Sequence, residues 1–392
     1  MNFGTQVFDD WINQMPGDSK KNLNRFKRLT EVMTREPEPQ VGQTPKEVVW
    51  TKNKTKLYRY QPAIKKTNKV PILMIYALIN KPYILDLYPG NSLIEHLTNQ
   101  GHDVYLIDWG TAGHEDRHMK LDDYILDYLP RAVKKVLQTS GAKEISLLGY
   151  CMGGTMTAIF TALHPHLPIR NLILLTTPID FEDAGHYTNW LDKRYFNLDR
   201  LVDTLGNVPF EMIDYGNKLL NPVSNVYGPF VSLADRVENE DFVLNWKLMQ
   251  KWLNDGVPFP GESYRQWISE FYQDNKLIND ELYIRGHKVE LSKIKANLLN
   301  VVATRDNIVL PQQIEPLNDK VSSENKTLHY VETGHVSVVT GRKAISEIHP
   351  FIENWLTEKS LLYAMKFLHE GYHYEFTYKL RVKDGVKKTS TD

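Results

Sequence analysis

A single cysteine stands among the 392 residues, in a setting where a thiol can act as a nucleophile. The stretch Glu144-Ile-Ser-Leu-Leu-Gly149-Tyr150-Cys151-Met152-Gly153-Gly154 is a short apolar run that meets a Gly-x-Cys-x-Gly pentad, and small and apolar residues continue at helical spacing from Thr155 to Leu163. That pattern predicts strand, sharp turn and helix, the nucleophile elbow. Gly149 and Gly153 lack a β-carbon, so strand and helix can approach closely and the turn can hold Cys151 in a strained backbone conformation. A sulfur at a helix N-terminus is favoured as thiolate by the amides and dipole there. The pentad alone is a weak signal, because a lone cysteine is more often a small buried hydrophobe.

A thiol nucleophile needs a base, and the base needs an orienting group. Asp306, in Ala303-Thr304-Arg305-Asp306-Asn307, directly follows an apolar strand pattern, and His335, in Thr333-Gly334-His335, follows the next one. The chain order Cys, Asp, His is that of α/β-hydrolases, whose acid and histidine ride on loops after the last strands. Of the 13 histidines, His164 and His166 also fall near the elbow but close its helix. Asp180 follows a strand as well and is the second candidate acid. An oxyanion hole would use the backbone amide of Met152 and one from the loop after Val70 to Tyr76, at Ile79 or Asn80.

The elements that must position these groups are readable from periodicity. Val70 to Ile79 predicts a buried strand, Ser92 to Gln100 a helix, Val104 to Asp108 a strand and Leu121 to Thr139 a long amphipathic helix. Asn171 to Thr176, Leu298 to Ala303 and Thr327 to Val331 continue the strands, and Arg342 to Leu356 is a closing helix. Alternating strands and helices imply an α/β-hydrolase fold, a doubly wound, mostly parallel sheet whose ligands lie at the carboxyl ends of the strands. The alternation stops between Phe181 and Asn297, where four of the eight tryptophans fall (Trp190, Trp246, Trp252 and Trp267). This predicts an inserted, mainly helical cap over an apolar tunnel. The implied division is a leading segment 1–69, a catalytic core 70–180 and 298–358, a cap 181–297 and a C-terminal extension 359–392. In the leading segment, Phe8, Trp11, Ile12 and Met15, then Phe26, Leu29 and Met33, predict helices covering the main domain, and Val48 to Trp50 and Lys56 to Tyr60 two strands. In the extension, Leu361 to His369 reads as helix, Tyr374 to Val382 as strand, and Lys387 to Thr391 as disordered.

Composition narrows the class. Apolar residues at 42%, charged residues at 24% and a net charge of -1 are those of a globular protein and argue against a nucleic-acid binder. Met1 to Asp10 carries no basic segment followed by an apolar core, and Val70 to Ile79 is far too short to span a bilayer. With one cysteine there is no internal disulfide, and a reactive thiol fits a reducing compartment, so a cytoplasmic protein is expected. No metal or cofactor motif is evident.

At Tyr76-Ala-Leu-Ile-Asn-Lys-Pro-Tyr83, Asp108-Trp109-Gly110, Leu148-Gly-Tyr-Cys-Met-Gly-Gly154, Gly261-Glu-Ser-Tyr-Arg-Gln-Trp267 and Thr333-Gly-His335 the chain resembles polyhydroxyalkanoate synthases, most of all the class IV enzymes of Bacillus type and next class III. The resemblance spans about residues 5 to 358. It implies a granule-associated acyltransferase that polymerises (R)-3-hydroxyacyl-CoA, chiefly 3-hydroxybutyryl-CoA, into polyester with release of CoA. Cys151, Asp306 and His335 match the family's catalytic residues. It further implies a small second subunit, PhaR, and dimerisation through the cap. Asn307 departs from the histidine expected after the catalytic acid, and an amide can hydrogen-bond but cannot titrate there. The segment 360–392 has no counterpart in the family.

Two other functions share these residues. A cysteine-dependent esterase, thioesterase or dienelactone-hydrolase-like enzyme would use the same three groups, although an aromatic cap that excludes water suits chain extension better. A granule-coating protein would keep the fold without the chemistry.

Overall fold

The computed structural model describes residues 17–34, 37–65 and 69–371, the last eleven through their backbone alone. The helix expected around Phe8 to Met15, the strand at Tyr374 to Val382 and the disordered end lie outside the described residues.

Eight strands form one sheet: β1 (Glu47–Lys52), β2 (Thr55–Tyr60), β3 (Ile72–Ile75), β4 (Val104–Asp108), β5 (Ile145–Tyr150), β6 (Ile169–Leu175), β7 (Asn297–Ala303) and β8 (Lys326–Val331). Their spatial order is β1-β2-β4-β3-β5-β6-β7-β8. The pairs β1–β2 and β2–β4 are antiparallel and every later pair is parallel. The central strands β3 and β5 are buried at every residue, as continuous apolar runs covered on both faces must be. The edge strands β1 and β8 are half-exposed. This is the α/β architecture expected from the alternating pattern. The first parallel strand is shorter than Val70 to Ile79, because its pairing with β4 and β5 begins at Ile72 and ends by Ile75.

The longer helices are α1 (Gly17–Thr34), α2 (Leu93–Asn99), α3 (Leu129–Ser140) and α4 (Met152–Leu163), then those of the insertion, then α10 (His349–Gly371). Ser92 caps α2, its side chain accepting from the Glu95 amide. The closing helix differs from the expected span: α10 runs unbroken to Gly371, joining the segments ending at Leu356 and beginning at Leu361 into one helix. Three π-helical segments, Tyr124–Tyr128, Val223–Tyr227 and Ala344–Ile348, each end two residues before a proline, Pro130, Pro229 and Pro350. A proline inside a helix lacks one amide and crowds the carbonyl four residues back, and a wider turn absorbs both faults without ending the helix.

Between β6 and β7 lie α5 (Leu198–Leu205), α6 (Phe210–Leu219), α7 (Gly228–Arg236), α8 (Glu240–Asn254) and α9 (Gly261–Gln266), the last continued by a π-helical segment Trp267–Gln273. They sit on the carboxyl edge of the sheet through specific bonds: Val257 N to Ile79 O at 2.9 Å, Trp252 Nε1 to Lys81 O at 3.0 Å and Tyr83 Oη to Asp255 Oδ2 at 2.7 Å. Helix α1 covers this insertion and not the main sheet. Its contact face is Leu29 and Val32, packed on Leu233, Val237 and Val243, whereas Phe26 and Met33 point outward. Arg28 pairs with Glu240 at 2.8 Å, and Arg25 donates to Ala234 O at 3.0 Å. The chain then returns to the core, with Gly42 N on Asp86 O at 2.9 Å.

The first turn of α4 lies so close to β3 and β5 that side chains do not fit between them. A β-carbon on Gly153 would stand 2.4 Å from Ile75 O, and one on Gly149 would stand 2.4 Å from Gly154 Cα. Gly153→Ala should therefore lower stability by about 1–3 kcal/mol through overpacking against backbone. Gly228→Ala, whose β-carbon would meet only Val223 O at 3.4 Å, should be neutral or stabilising. Thermal unfolding of the two variants compares them; equal melting temperatures would contradict the close-approach account.

Candidate active site

Every sequence-predicted group at the carboxyl edge of the sheet follows a strand end. Cys151 follows β5 and begins α4; its φ of 53° and ψ of -129° are the strained conformation of an elbow. The turn is fixed on both sides, by Cys151 N on Leu175 O at 3.0 Å and by Gly154 N on Cys151 O at 2.8 Å. Asp306 lies beyond β7. Its Oδ1 accepts from the amides of Ile308 and Val309 at 2.8 and 3.0 Å, which turns Oδ2 toward His335. His335 lies beyond β8, and its Nδ1 is 2.6 Å from Asp306 Oδ2. A carboxylate acceptor assigns the proton to Nδ1, which leaves Nε2 for the thiol. Cys151, Asp306 and His335 are thus brought together, although 155 and 184 residues separate the acid and the histidine from the cysteine in the chain (306 minus 151, 335 minus 151).

The electrostatics of His335 oppose one another. Burial is the largest single influence and disfavours the charged ring, but Asp306 and the adjacent Cys151 together outweigh it and hold the imidazole well above its ordinary pKa. This is the environment in which a base keeps a proton taken from a neighbouring sulfur. Tyr150 holds the ring from behind, with its hydroxyl donating to His335 O at 3.1 Å and its ring 5.3 Å from the imidazole. The ring of Tyr76 lies 5.6 Å from that of Tyr150, tilted by 32°. Burial pushes both phenols far up, so they remain neutral donors.

Met152, Ile79 and Asn80 border the same cavity as Cys151. The amide of Met152 is one of those at a helix start with no intrahelical partner. The carbonyl of Ile79 is occupied by Val257 N. Asp180, the second candidate acid, accepts instead from Asn275 Nδ2 at 2.8 Å and from Glu182 N at 3.0 Å, away from His335. His164 bonds Phe160 O at 2.9 Å, closing its own helix. Asn307 is exposed and outside the cavity wall, so the residue after Asp306 takes no part in the cluster.

The cavity holds about 310 Å³ and reaches from Cys151 into the insertion. Its upper wall is aromatic: Trp190, Phe210, Tyr264, Trp267 and Tyr272. Burial raises the Tyr264 phenol to about 12 and the Tyr272 phenol further. Sequence reasoning assigned no role to Tyr76, Tyr150 or these aromatics singly. Tyr150 sits inside the pentad, but a strand buried on both faces has no alternation to say which way a side chain points.

Among known families, the alpha/beta hydrolase fold matches residues 70–341, and the N-terminus of poly-beta-hydroxybutyrate polymerase (PhaC) matches residues 13–97. Curated relatives named poly(3-hydroxyalkanoate) polymerase subunit PhaC include that of Haloferax mediterranei, 41% identical over 82% of this chain and 66% of its own length. Those of Synechocystis sp. and Allochromatium vinosum are each 36% identical, over 83% and 81% of this chain and 87% and 90% of theirs. A solved lipase candidate from Sulfolobus solfataricus shares the fold, with a TM-score of 0.52 at 14% identity over 83% of this chain and 99% of its own.

Because Asp306 counters the effect of burial on His335, Asp306→Asn should move the imidazole titration to lower pH, as removing a raising influence leaves the lowering one. Ring-selective NMR across a pH series measures this; an unchanged titration would show that the carboxylate does not set the proton affinity of the ring.

Proposed function

The chain belongs to the family of poly(3-hydroxyalkanoate) polymerase PhaC subunits, and from that premise we propose that it polymerises (R)-3-hydroxyacyl-CoA, chiefly 3-hydroxybutyryl-CoA, through acyl transfer on Cys151. The observation that carries the proposal is a strained cysteine beside a buried His–Asp pair at the base of an apolar, aromatic-walled cavity.

In this scheme His335 Nε2 takes the thiol proton, and the thiolate attacks the thioester carbonyl carbon. The oxyanion is met by the amides of Met152 and Ile79. The carbon–sulfur bond to CoA breaks, His335 returns its proton to the departing CoA sulfur, and the acyl group rests on Cys151. The 3-hydroxyl of the next acyl-CoA then loses its proton to His335 and attacks the Cys151 thioester, forming the ester and freeing the thiolate. The chain, now on CoA, reloads Cys151 with release of CoA. Asp306 orients the ring in both transfers and, in the second, also helps it draw the proton from the 3-hydroxyl, which is far less acidic than a thiol. No electrons change hands, so the scheme balances without a redox cofactor. Exchange between two sulfur esters is nearly neutral, whereas a serine would trap the acyl group as the more stable oxygen ester. Exclusion of water by the cap favours the hydroxyl of a second substrate over hydrolysis.

The class IV assignment, with a small PhaR-like subunit and a homodimer, belongs to the same proposal, as does a cytoplasmic location on the polymer granule. Among the described residues no helix is long and apolar enough to cross a membrane.

Incubation with (R)-3-hydroxybutyryl-CoA, with and without a candidate small subunit, should give polymer and free CoA. Cys151→Ala should give neither while melting as the wild type does. Free 3-hydroxybutyrate in place of polymer would mark a hydrolase, and turnover by the alanine variant would remove Cys151 from the chemistry. His335→Gln should block loading of Cys151 by substrate, because the thiol then has no base. Asp306→Asn should still load in a single turnover but elongate slowly, and equal loss of loading in both variants would confine Asp306 to orienting the ring.

A further inference from the structure

The cavity over Cys151 holds hydroxyl groups that the acyl-transfer scheme leaves unused. Five tyrosines line it, and two spend their donors on the protein, Tyr150 on His335 O at 3.1 Å and Tyr187 on Asn217 Oδ1 at 2.7 Å. The hydroxyls of Tyr76, Tyr264 and Tyr272 have no hydrogen-bond partner among the described residues. They are open to the cavity, since the polar side-chain atoms sealed in the interior without a partner belong to other residues, Thr176 and Asn300 among them. A donor without an acceptor in an enclosed, apolar space is costly, and a ligand that brings an acceptor is favoured there.

Tyr272 is the one placed to meet an acyl chain above the thiol. Three edge-to-face aromatic contacts hold its ring, with centroids 4.9 Å from Phe181, 5.8 Å from Tyr187 and 6.2 Å from Trp267, so the position of its hydroxyl is fixed. Tyr76 follows β3 and belongs to the floor of the cavity. Of the two upper-wall phenols, Tyr272 feels the charge of Cys151 and Tyr264 does not, which places Tyr272 nearer the sulfur. Burial keeps the phenol protonated and therefore a donor. The cavity wall has no charge to spare, because Asp214 pairs with Lys218 and His335 with Asp306, so the matching acceptor is an uncharged oxygen. On an acyl chain carried by Cys151, the thioester oxygen is met by the amides of Met152 and Ile79 in the scheme above. The next acceptor along the chain is the carbonyl of its first ester link, which accepts hydrogen bonds and cannot donate them.

We infer that Tyr272 is a chain-binding residue, whose hydroxyl donates to the first ester carbonyl of the acyl chain on Cys151 and so holds a chain of two or more units in the cavity while the next acyl-CoA enters. The inference rests on the polymerase reading and deepens it, since a hydrolase of single acyl groups has no such carbonyl to hold.

The test uses the full chain and two substrates that differ in one group: the CoA thioester of the linear dimer of (R)-3-hydroxybutyrate, and the same molecule with a methylene in place of its ester carbonyl. Loading of Cys151 is read as CoA released in the first turnover at low substrate concentration. The wild type should load the ester about tenfold faster than the ether, the worth of one hydrogen bond to an uncharged acceptor. Tyr272→Phe keeps the ring and its aromatic contacts, and in this variant the ester-to-ether ratio should fall to about one. A wild-type ratio near one overturns the inference, whatever the variant does. So does a variant that retains the wild-type ratio, because a loss of rate shared by both substrates marks a packing role. Failure of the wild type to release CoA from (R)-3-hydroxybutyryl-CoA overturns the polymerase reading and the inference with it, whereas a ratio near one with that release intact overturns the inference alone.

Discussion

The close approach of the first turn of α4 to strands β3 and β5 is the constraint on which the other features depend. Gly149 and Gly153 leave no side chain between helix and sheet, and Cys151 is forced into a backbone conformation that only surrounding hydrogen bonds can hold. The strain puts the sulfur above the edge of the sheet, where the loops after β7 and β8 can reach it.

The second requirement is an apolar cavity, and the insertion walls it with aromatic side chains from several short helices. Prolines interrupt these helices as they do α3 and α10, but the π-helical turns before Pro130, Pro229 and Pro350 let each helix continue past the fault. The insertion is also held from outside. Helix α1 packs Leu29 and Val32 against α7 and α8, and the chain leading from it bonds to the core at Asp86. The leading segment thus ties the roof of the cavity to the sheet beneath.

Much of this was legible in the sequence for definite physical reasons. Parallel strands covered on both faces must be continuous apolar runs, and such runs mark β3 to β7 whatever the rest of the chain does. Their carboxyl ends locate Cys151, Asp306 and His335 before any distance is known. Other features were hidden. The sequence could not say that α1 covers the insertion, since Phe26 and Met33 keep helical spacing yet face outward, while Leu29 and Val32 make the contact. Nor could it show that α10 is one helix, because Ser360 and the charges near it resemble a boundary that the backbone hydrogen bonds ignore. The support of His335 by Tyr150 depends on the direction of one buried side chain, which periodicity does not encode in a strand without alternation. Asn307 stands where the resemblance expects a histidine, and its exposure keeps it out of the cluster.

The central claim is that the growing acyl group is carried by Cys151. Intact-protein mass spectrometry on a rapidly quenched reaction with (R)-3-hydroxybutyryl-CoA, followed by peptide mapping, tests it directly. The account predicts one or more hydroxybutyryl units on the Cys151 peptide, released by neutral hydroxylamine as a thioester should be. Polymer formation with no adduct on Cys151, or with the acyl group on another residue, would contradict it.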